Sequence, residues 1–270
     1  MKIASDLSHA YVRINNRLAL YRSESPGVFF WEDNWAKISD EILNHALRPT
    51  KRLGIHRSFF KRWLPKNGVI LEAGCGTGLW VIRLRQNGWH CIGIDSAKES
   101  LCRAKRVNHS LPVACSDLRS LPFADDSISA YLSLGVVEHL QVGPLPFLKE
   151  CWRVLRDDGV ALISVPFENR FRKNIPTITE SEALTRGLKF YQYYFTLDGF
   201  NHELDLAGLQ PTNYFHGYSV NAGLAESAVF LKSVARSLGR FSILLDLMPG
   251  LPKLTSHMMS TVAIKTLRAK

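Results

Sequence analysis

The chain has 270 residues, of which 46% are hydrophobic and 21% charged, and a formal net charge of +10 at pH 7. This composition is typical of a folded protein with a sizeable core and excludes an intrinsically disordered chain. The sequence has no apolar run of about 18 or more residues, so we expect no transmembrane helix, and no signal peptide is recognisable. The five cysteines include no Cys-x-x-Cys pair, so we expect no metal centre and a reduced, cytoplasmic compartment.

The region before the first predicted strand, residues 1–66, is expected to be mainly helical. A Pro-Gly break at residues 26–27 precedes a predicted helix that ends near Leu47. Trp31 and Trp35 are spaced i, i+4 in it and therefore share one face. Two interpretations stay open: this face packs into the core, or the segment is a lid over a binding site.

A glycine-rich turn follows the apolar run of residues 69–71. The acid Glu72 comes next, and glycines then recur at every second position, at Gly74, Gly76 and Gly78. Glycine is needed where the backbone takes a positive φ or where a ligand comes close, because a Cβ atom would clash. The pattern predicts a strand, a loop that wraps a small ligand, and a helix that follows the loop.

Asp95 ends the second apolar run, residues 91–94, and lies 23 residues beyond Glu72. An acid at the tip of the second strand of an open α/β sheet typically hydrogen-bonds ribose hydroxyls, so a nucleotide cofactor is expected. A dinucleotide site requires a further glycine at position 79, which is Leu79. The loop sequence E-A-G-C-G-T-G instead resembles motif I of the class I S-adenosylmethionine-dependent methyltransferases.

The resemblance extends to two later strand ends. Residues 115–128 resemble the family segment in which an acid, here Asp117, accepts from the adenine amino group and the next residue, Leu118, packs on the ring. A helix N-cap is the alternative role for Asp117. Residues 128–140 resemble motif IV, whose backbone near Leu134 lies beside the methionine end of the cofactor. The Asp/Asn-Pro-Pro-Tyr/Phe and Pro-Cys motifs of nucleic-acid methyltransferases are absent, so nucleic acid is not expected as a partner.

The resemblance implies S-adenosyl-L-methionine as the cofactor, with the loop backbone at its methionine part and Asp95 at both ribose hydroxyls. The cofactor-binding residues that it implies are Glu72, Gly74, Cys75, Gly76, Gly78, Asp95, Ser96, Asp117, Leu118 and Leu134.

His139 is the candidate catalytic residue. An unperturbed imidazole has a pKa of about 6.5, which suits removal of a proton from a hydroxyl or a protonated amine. A capping or packing role for His139 is the alternative.

Strands alternate with helices from residue 69 onward, which predicts an α/β fold with a doubly wound, mostly parallel sheet. By the resemblance the sheet has seven strands, as in the Rossmann-like methyltransferase fold. We expect a helical N-terminal lid or extension over residues 1–66 and a methyltransferase domain over residues 67–270. Inserts are expected at about 167–200 and, helical in form, at 222–254 before the last strand. The predicted strands are 69–73, 91–95, 112–115, 130–134, 159–165 and 257–267.

Both inserts have two interpretations. The aromatic run that contains Tyr191, Tyr193 and Tyr194 lines an acceptor pocket or packs in the core. The segment 222–254 combines leucines at heptad spacing with a basic stripe. It either contacts an anionic membrane from the cytoplasmic side or caps the sheet. Residues 231–270 carry seven Lys and Arg against one Asp, which favours anionic partners.

These features together predict a methyltransferase that acts on a small-molecule or lipid-linked acceptor. The methylated atom, oxygen, nitrogen or carbon, and the oligomeric state are left open. Three alternatives remain: an NAD-linked oxidoreductase, against which Leu79 argues, an RNA methyltransferase, and a membrane-docked relative without catalysis.

Overall fold

The computed structural model describes residues 8–38, 41, 44, 48, 53–212, 214–220, 222, 246 and 250–266. The predicted helical insert at 222–254 and the predicted helix end at Leu47 lie almost wholly outside these residues. None of the described helices is both long enough and apolar enough to cross a bilayer.

The described elements alternate between strand and helix over most of the chain. The strands are β1 (His9–Ile14), β2 (Arg17–Arg22), β3 (Ile70–Ala73), β4 (Cys91–Asp95), β5 (Val113–Cys115), β6 (Ile128–Leu134), β7 (Leu155–Pro166), β8 (Lys189–Tyr194), β9 (Leu209–Pro211), β10 (His216–Tyr218) and β11 (Met258–Lys265). The helices are α1 (Val28–Ala36), α2 (Arg57–Trp63), α3 (Leu79–Gln86), α4 (Lys98–Val107), α5 (Leu145–Val154), α6 (Glu180–Thr185), α7 (Leu197–Leu206) and α8 (Leu251–Thr255).

The main sheet has the strand order β10-β11-β7-β6-β3-β4-β5, and β9 also pairs with β11. β5, β4, β3, β6 and β7 are parallel, whereas β11 runs antiparallel to β7. The predicted doubly wound, mostly parallel sheet is confirmed. It contains eight strands among the described residues instead of seven, because the short β10 adds to the edge of β11. The chain order reverses at β3 and β6, and such a switch point is where open α/β sheets bind ligands.

The central strands are buried on both faces, which explains their continuous apolar runs. Neighbouring residues of a strand point to opposite faces, so Ile70 and Leu132 enter one core cluster while Leu71 and Tyr131 enter the other. All four of these side chains are fully buried. The sheet is therefore a rigid support for the loops at the carboxyl ends of its parallel strands.

The N-terminal region differs from the expectation of mainly helical structure. β1 and β2 form an antiparallel hairpin around Asn15 and Asn16, whose φ angles are 47° and 64°. Asparagine tolerates this left-handed conformation, and two such residues make the turn that fits the twist of a hairpin. The prediction of helix over residues 9–22 was wrong because the alternating apolar pattern on either side of Asn-Asn was not taken as a strand signal.

The hairpin belongs to a second, three-stranded sheet with the order β1-β2-β8. Hydrogen bonds between the backbones of residues 166–168 and Phe195 join β8 to the end of β7. An ion pair of 2.6 Å from Arg13 to Glu168 holds the hairpin to the same place. The small sheet consequently stands at the carboxyl ends of the main strands, where its Tyr191 reaches His139.

Candidate active site

The loop between β3 and α3 requires its glycines. Gly74, Gly76 and Gly78 have φ angles of 82°, 53° and 74°, in the left-handed region that disfavours other residues. A Cβ atom on Gly74 would lie 2.4 Å from Val136 Cγ2, and one on Gly76 would lie 2.5 Å from Trp35 Cζ2. The loop is thus closed in by neighbouring side chains as well as shaped by its own backbone.

Asp95, at the end of β4, is held by two backbone amides. Its Oδ2 accepts from the Gly76 N–H at 2.7 Å, and its Oδ1 accepts from the Ala97 N–H at 2.8 Å. The carboxylate is buried, with 8% of the residue exposed. These bonds fix the carboxylate at the glycine loop and leave each oxygen a further lone pair for a ligand.

Glu72, the last acid of β3, is buried with one oxygen unpartnered. The residue is 3% exposed, and its Oε2 has no hydrogen-bond partner. Burial raises the pKa of Glu72 well above its ordinary value, the negative charge of Asp95 adds to this, and a hydrogen bond from the Val81 backbone opposes it. A buried carboxyl oxygen without a partner is costly, so this oxygen indicates a place for a donor group of a ligand.

These residues face a cavity of about 450 Å³ at the switch point of the sheet. On one side of the cavity the wall consists of side chains of α1 and of Ile38, two residues beyond the end of α1. The described lining residues are Trp31, Asn34, Trp35, Ile38, Glu72, Gly74, Cys75, Thr77, Leu79, Trp80, Asp95, Ser96, Leu118, Leu134, Gly135, Val136 and His139.

α1 is fastened over the cavity by Arg103 of α4. The guanidinium donates to the Trp35 carbonyl at 2.9 Å and to the Ile38 carbonyl at 2.6 Å. Both carbonyls belong to the last turn of α1 and the residues after it, where helical partners are missing. Trp31 and Trp35 therefore line the cavity together, as expected if the segment is a lid.

His139 lies in the same cavity with its tautomer defined by a carbonyl group. Its Nδ1 is 2.8 Å from the Tyr191 carbonyl oxygen, which only accepts, so Nδ1 carries the proton and Nε2 presents a lone pair. The ring packs against Trp31, with centroids 4.8 Å apart. Burial lowers the pKa of His139 to about 4, although the bond to Tyr191 opposes the shift. The imidazole is accordingly neutral at pH 7.

Glu138 is a second buried acid next to His139. Its Oε1 is 3.7 Å from His139 Nε2, and its Oε2 has no partner. Burial raises the pKa of Glu138 to about 8, so this carboxyl is mostly protonated at pH 7. The acid and the imidazole therefore form an uncharged pair at neutral pH.

The sequence and the fold were then compared with known proteins. Residues 71–163 match a family model described as a methyltransferase domain. A protein of Mycolicibacterium smegmatis described as a probable S-adenosylmethionine-dependent methyltransferase is 32% identical over 97 residues, which are 36% of this chain and 37% of that protein. Residues 71–163 therefore form a methyltransferase domain similar to that of S-adenosylmethionine-dependent methyltransferases.

Two further comparisons agree with this assignment. The ubiquinone biosynthesis O-methyltransferase of Dinoroseobacter shibae is 28% identical over 53% of this chain and 60% of its own length. The solved S-adenosylmethionine-dependent methyltransferase of Mesorhizobium loti superposes with a TM-score of 0.54, at 14% identity, over 80% of this chain and all of that one, which shows a shared fold. The alignments span 37% and 60% of the two curated relatives' lengths.

Most of the predicted cofactor residues lie around the cavity described above. Eight of the predicted residues line it: Glu72, Gly74, Cys75, Asp95, Ser96, Leu118, Leu134 and the candidate catalytic residue His139. Gly76 and Gly78 act through the loop, since Gly76 binds Asp95 and Gly78 begins the turn into α3. Sequence reasoning missed Asn34 and Trp80, which no motif marked, and Thr77, which lies within the glycine-rich motif.

Asp117 is not brought into the cavity. Arg119 binds both of its carboxylate oxygens at the surface, with Nη2 2.6 Å from Oδ2, and this ion pair lowers the pKa of Asp117. The Arg119 backbone N–H also donates to Oδ1 at 2.8 Å. The predicted contact of Asp117 with the adenine amino group would require this ion pair to open, whereas Leu118 already lines the cavity.

The residues present fit S-adenosylmethionine. The glycine loop is a cradle that a Cβ atom would fill, Asp95 is held at the tip of the second parallel strand, and Glu72 presents an unpartnered buried oxygen. Apolar side chains such as Leu79, Leu118 and Leu134 complete the walls. Among the described residues no three metal-ligating side chains lie together.

Proposed function

We propose that this protein transfers a methyl group from S-adenosylmethionine to a hydroxyl of a small-molecule or lipid-linked acceptor. The observation that carries the proposal is the neutral imidazole of His139, which lines the same cavity as the glycine loop and Asp95 and whose Nδ1 is bonded to the Tyr191 carbonyl. The O-methyltransferase among the relatives supports oxygen as the methylated atom.

S-adenosylmethionine supplies a methyl group already activated on a sulfonium. The protein has to bind this cofactor and orient it toward the acceptor. Asp95 would hold the ribose hydroxyls, the backbone of the glycine loop would hold the methionine part, and Glu72 would accept from its ammonium group. Correct alignment of two reactants contributes up to about 7–11 kcal/mol to lowering a barrier, which makes positioning the main task.

His139 is the group that takes the proton from the acceptor. The Tyr191 carbonyl fixes the Nδ1 proton, so the lone pair of Nε2 is the one that receives the hydroxyl proton. The rings of Trp31 and Tyr191, with centroids 4.8 and 5.2 Å from the imidazole, hold its plane. General base catalysis of this kind contributes about 10²–10⁴-fold to the rate.

The walls favour an uncharged acceptor. Among the described lining residues there is no Lys or Arg, while Glu72 and Asp95 are acids. A phosphate or carboxylate close to the methylated atom would face these acids without a cation to balance it. The rings of Trp31, Trp35 and Trp80 present apolar surface to the acceptor.

The proposal is tested with S-adenosylmethionine labelled in its methyl group and a bacterial extract as the source of acceptors. We expect label in a small-molecule or lipid fraction that is stable to mild base, as an ether is, and lost with an Asp95→Ala control. Label in RNA would support the RNA alternative. Tight S-adenosylhomocysteine binding without label in any fraction would contradict catalysis and favour the silent, membrane-docked relative. Most of segment 222–254, the predicted membrane contact, lies outside the described residues.

A further inference from the structure

A row of polar side chains leads away from the cavity across the main sheet. In the register of the strands, Leu134 of β6 pairs with Ser164 of β7, Ser164 with Ser260 of β11, and Ser260 with His216 of β10. Residues paired in this way point to the same face of a sheet. Neighbouring strands are about 4.8 Å apart, so the row runs roughly 14 Å from the cavity wall at Leu134 to His216.

Two aromatic residues complete this row. Tyr218, two positions after His216 on the same face, reaches across to donate to Ser164 Oγ at 3.0 Å. His56 lies over both, with ring centroids 4.7 Å from Tyr218 and 5.4 Å from His216. We call Ser164, Ser260, His216, Tyr218 and His56 the polar row.

Two buried atoms of the polar row have no hydrogen-bond partner. They are His216 Nε2 and His56 Nδ1, whereas Ser260 lies beside the Tyr218 hydroxyl. A buried polar atom without a partner destabilises the fold, and here two such atoms lie within one cluster. The cost is offset when a ligand supplies the missing partners.

The polar row is uncharged at neutral pH. Burial lowers the pKa of His56 to about 4, with a smaller effect of His216, and burial also lowers the pKa of His216. Burial raises the pKa of Tyr218 to about 12. The row therefore offers hydroxyls and neutral imidazoles, which can each donate or accept, and it offers no cation to an acidic group.

Aromatic side chains connect the polar row to the cavity. Trp80 lines the cavity, and its ring lies 5.4 Å from that of His56 and 5.3 Å from that of Phe60. On the far side, Phe59 stacks on His216 with centroids 5.1 Å apart and an angle of 13° between the rings. Flat apolar surface beside hydroxyls and neutral imidazoles suits a ring that carries hydroxyl groups.

We infer that the polar row is the recognition site for the distal part of the methyl acceptor, which is an uncharged molecule with a hydroxylated ring. The inference rests on the proposed function for the identity of the reacting end. The ring of the acceptor is either phenolic or a sugar, since both present hydroxyls on an uncharged skeleton.

One double variant of the polar row should lose affinity for the acceptor without losing thermal stability. Removal of the unpartnered imidazole nitrogen of His216 relieves its desolvation cost, so His216→Phe/Ser260→Ala should melt no lower than Ser260→Ala alone. Phenylalanine keeps the stacking on Phe59 that His216 makes. The same variant should bind the acceptor ring about tenfold or more weakly, because only its ligand contacts are lost. A purely structural role predicts the reverse pattern: lower stability and unchanged binding.

The test is a set of binding titrations, run with and without S-adenosylhomocysteine. The probes are phenyl β-glucoside with its acid counterpart phenyl β-glucuronide, and p-coumaryl alcohol with its acid counterpart p-coumarate. We expect one of the two uncharged probes to bind more tightly than its acid counterpart and to lose affinity in His216→Phe/Ser260→Ala. Tyr214→Phe, a hydroxyl loss beside the same Phe59, is the matched control and should change nothing.

Three results would overturn the inference: binding of neither uncharged probe, preference for the acids, or equal binding by wild type and variant. Ser260→Ala alone, which removes one oxygen, replaces the double variant if the latter does not fold. Failure of S-adenosylhomocysteine to bind the wild type would count against the proposed function only, because the titrations without it still report on the polar row.

Discussion

Replacement of His139 by glutamine should lower kcat by about two to four orders of magnitude while S-adenosylhomocysteine still binds. In the proposed function the unprotonated Nε2 of His139 takes the acceptor's proton, and an amide cannot take up a proton in its place. The measurement is turnover with the acceptor found in the labelling screen, together with a cofactor titration. His202→Gln, at an exposed histidine, is the control and should leave both values unchanged.

The pH dependence of the wild type gives an independent check on His139. The base acts when it is neutral, and burial lowers its pKa to about 4, so kcat/KM should stay level from pH 7, where Glu138 is still mostly protonated, down to about pH 5 and fall only below that. An ordinary histidine would begin to lose activity near pH 6.5. A decline centred at pH 6.5, or full activity of His139→Gln, would contradict the assignment of His139 as the base.

Replacement of Asp95 by alanine should weaken S-adenosylhomocysteine binding by about a hundredfold or more. The substitution removes the carboxylate that would hold the ribose, and it also releases the Gly76 and Ala97 amides that this carboxylate binds. Hydrogen bonds to a charged group are worth about 1.5–3 kcal/mol each, and two of them together reach this size. Isothermal titration with S-adenosylhomocysteine measures the effect directly.

The same titration of Asp117→Ala tests whether Asp117 contacts the cofactor. Asp117 is ion-paired to Arg119 at the surface, outside the cavity wall, so its loss should change cofactor affinity by less than about threefold. A large loss in Asp117→Ala would show that the ion pair opens and that the adenine contact implied by the family resemblance is made. Equal, small losses in both variants would contradict the placement of the ribose at Asp95.

Local signals in the sequence predict the centre of this site well. The glycine loop and Asp95 each follow a buried strand, and parallel strands bring their carboxyl ends to one edge, so a short spacing along the chain already implies their meeting. The structure confirms it, since the Gly76 amide donates to Asp95. The mostly parallel arrangement of the main strands follows from the same alternation of strand and helix.

Contacts between distant parts of the chain are what the sequence does not reveal. His56 and His216 are separated by most of the domain, and only the pairing of β10 with β11 brings them together under Trp80. The neutral state of His139 likewise depends on its burial behind Trp31, and the spacing of these two residues in the sequence does not reveal that contact. Asp117 matches its motif, yet the nearby Arg119 binds it away from the cavity.

The most direct test of the central claim, that the cavity holds S-adenosylmethionine, is a thermal shift of the wild type with S-adenosylhomocysteine, NAD and NADP at matched concentrations. A ligand at a hundred times its Kd adds about 2.7 kcal/mol to stability, which at this size raises Tm by several degrees. We predict that rise with S-adenosylhomocysteine alone, and its loss in Asp95→Ala. A rise with NAD or NADP and none with S-adenosylhomocysteine would contradict the account.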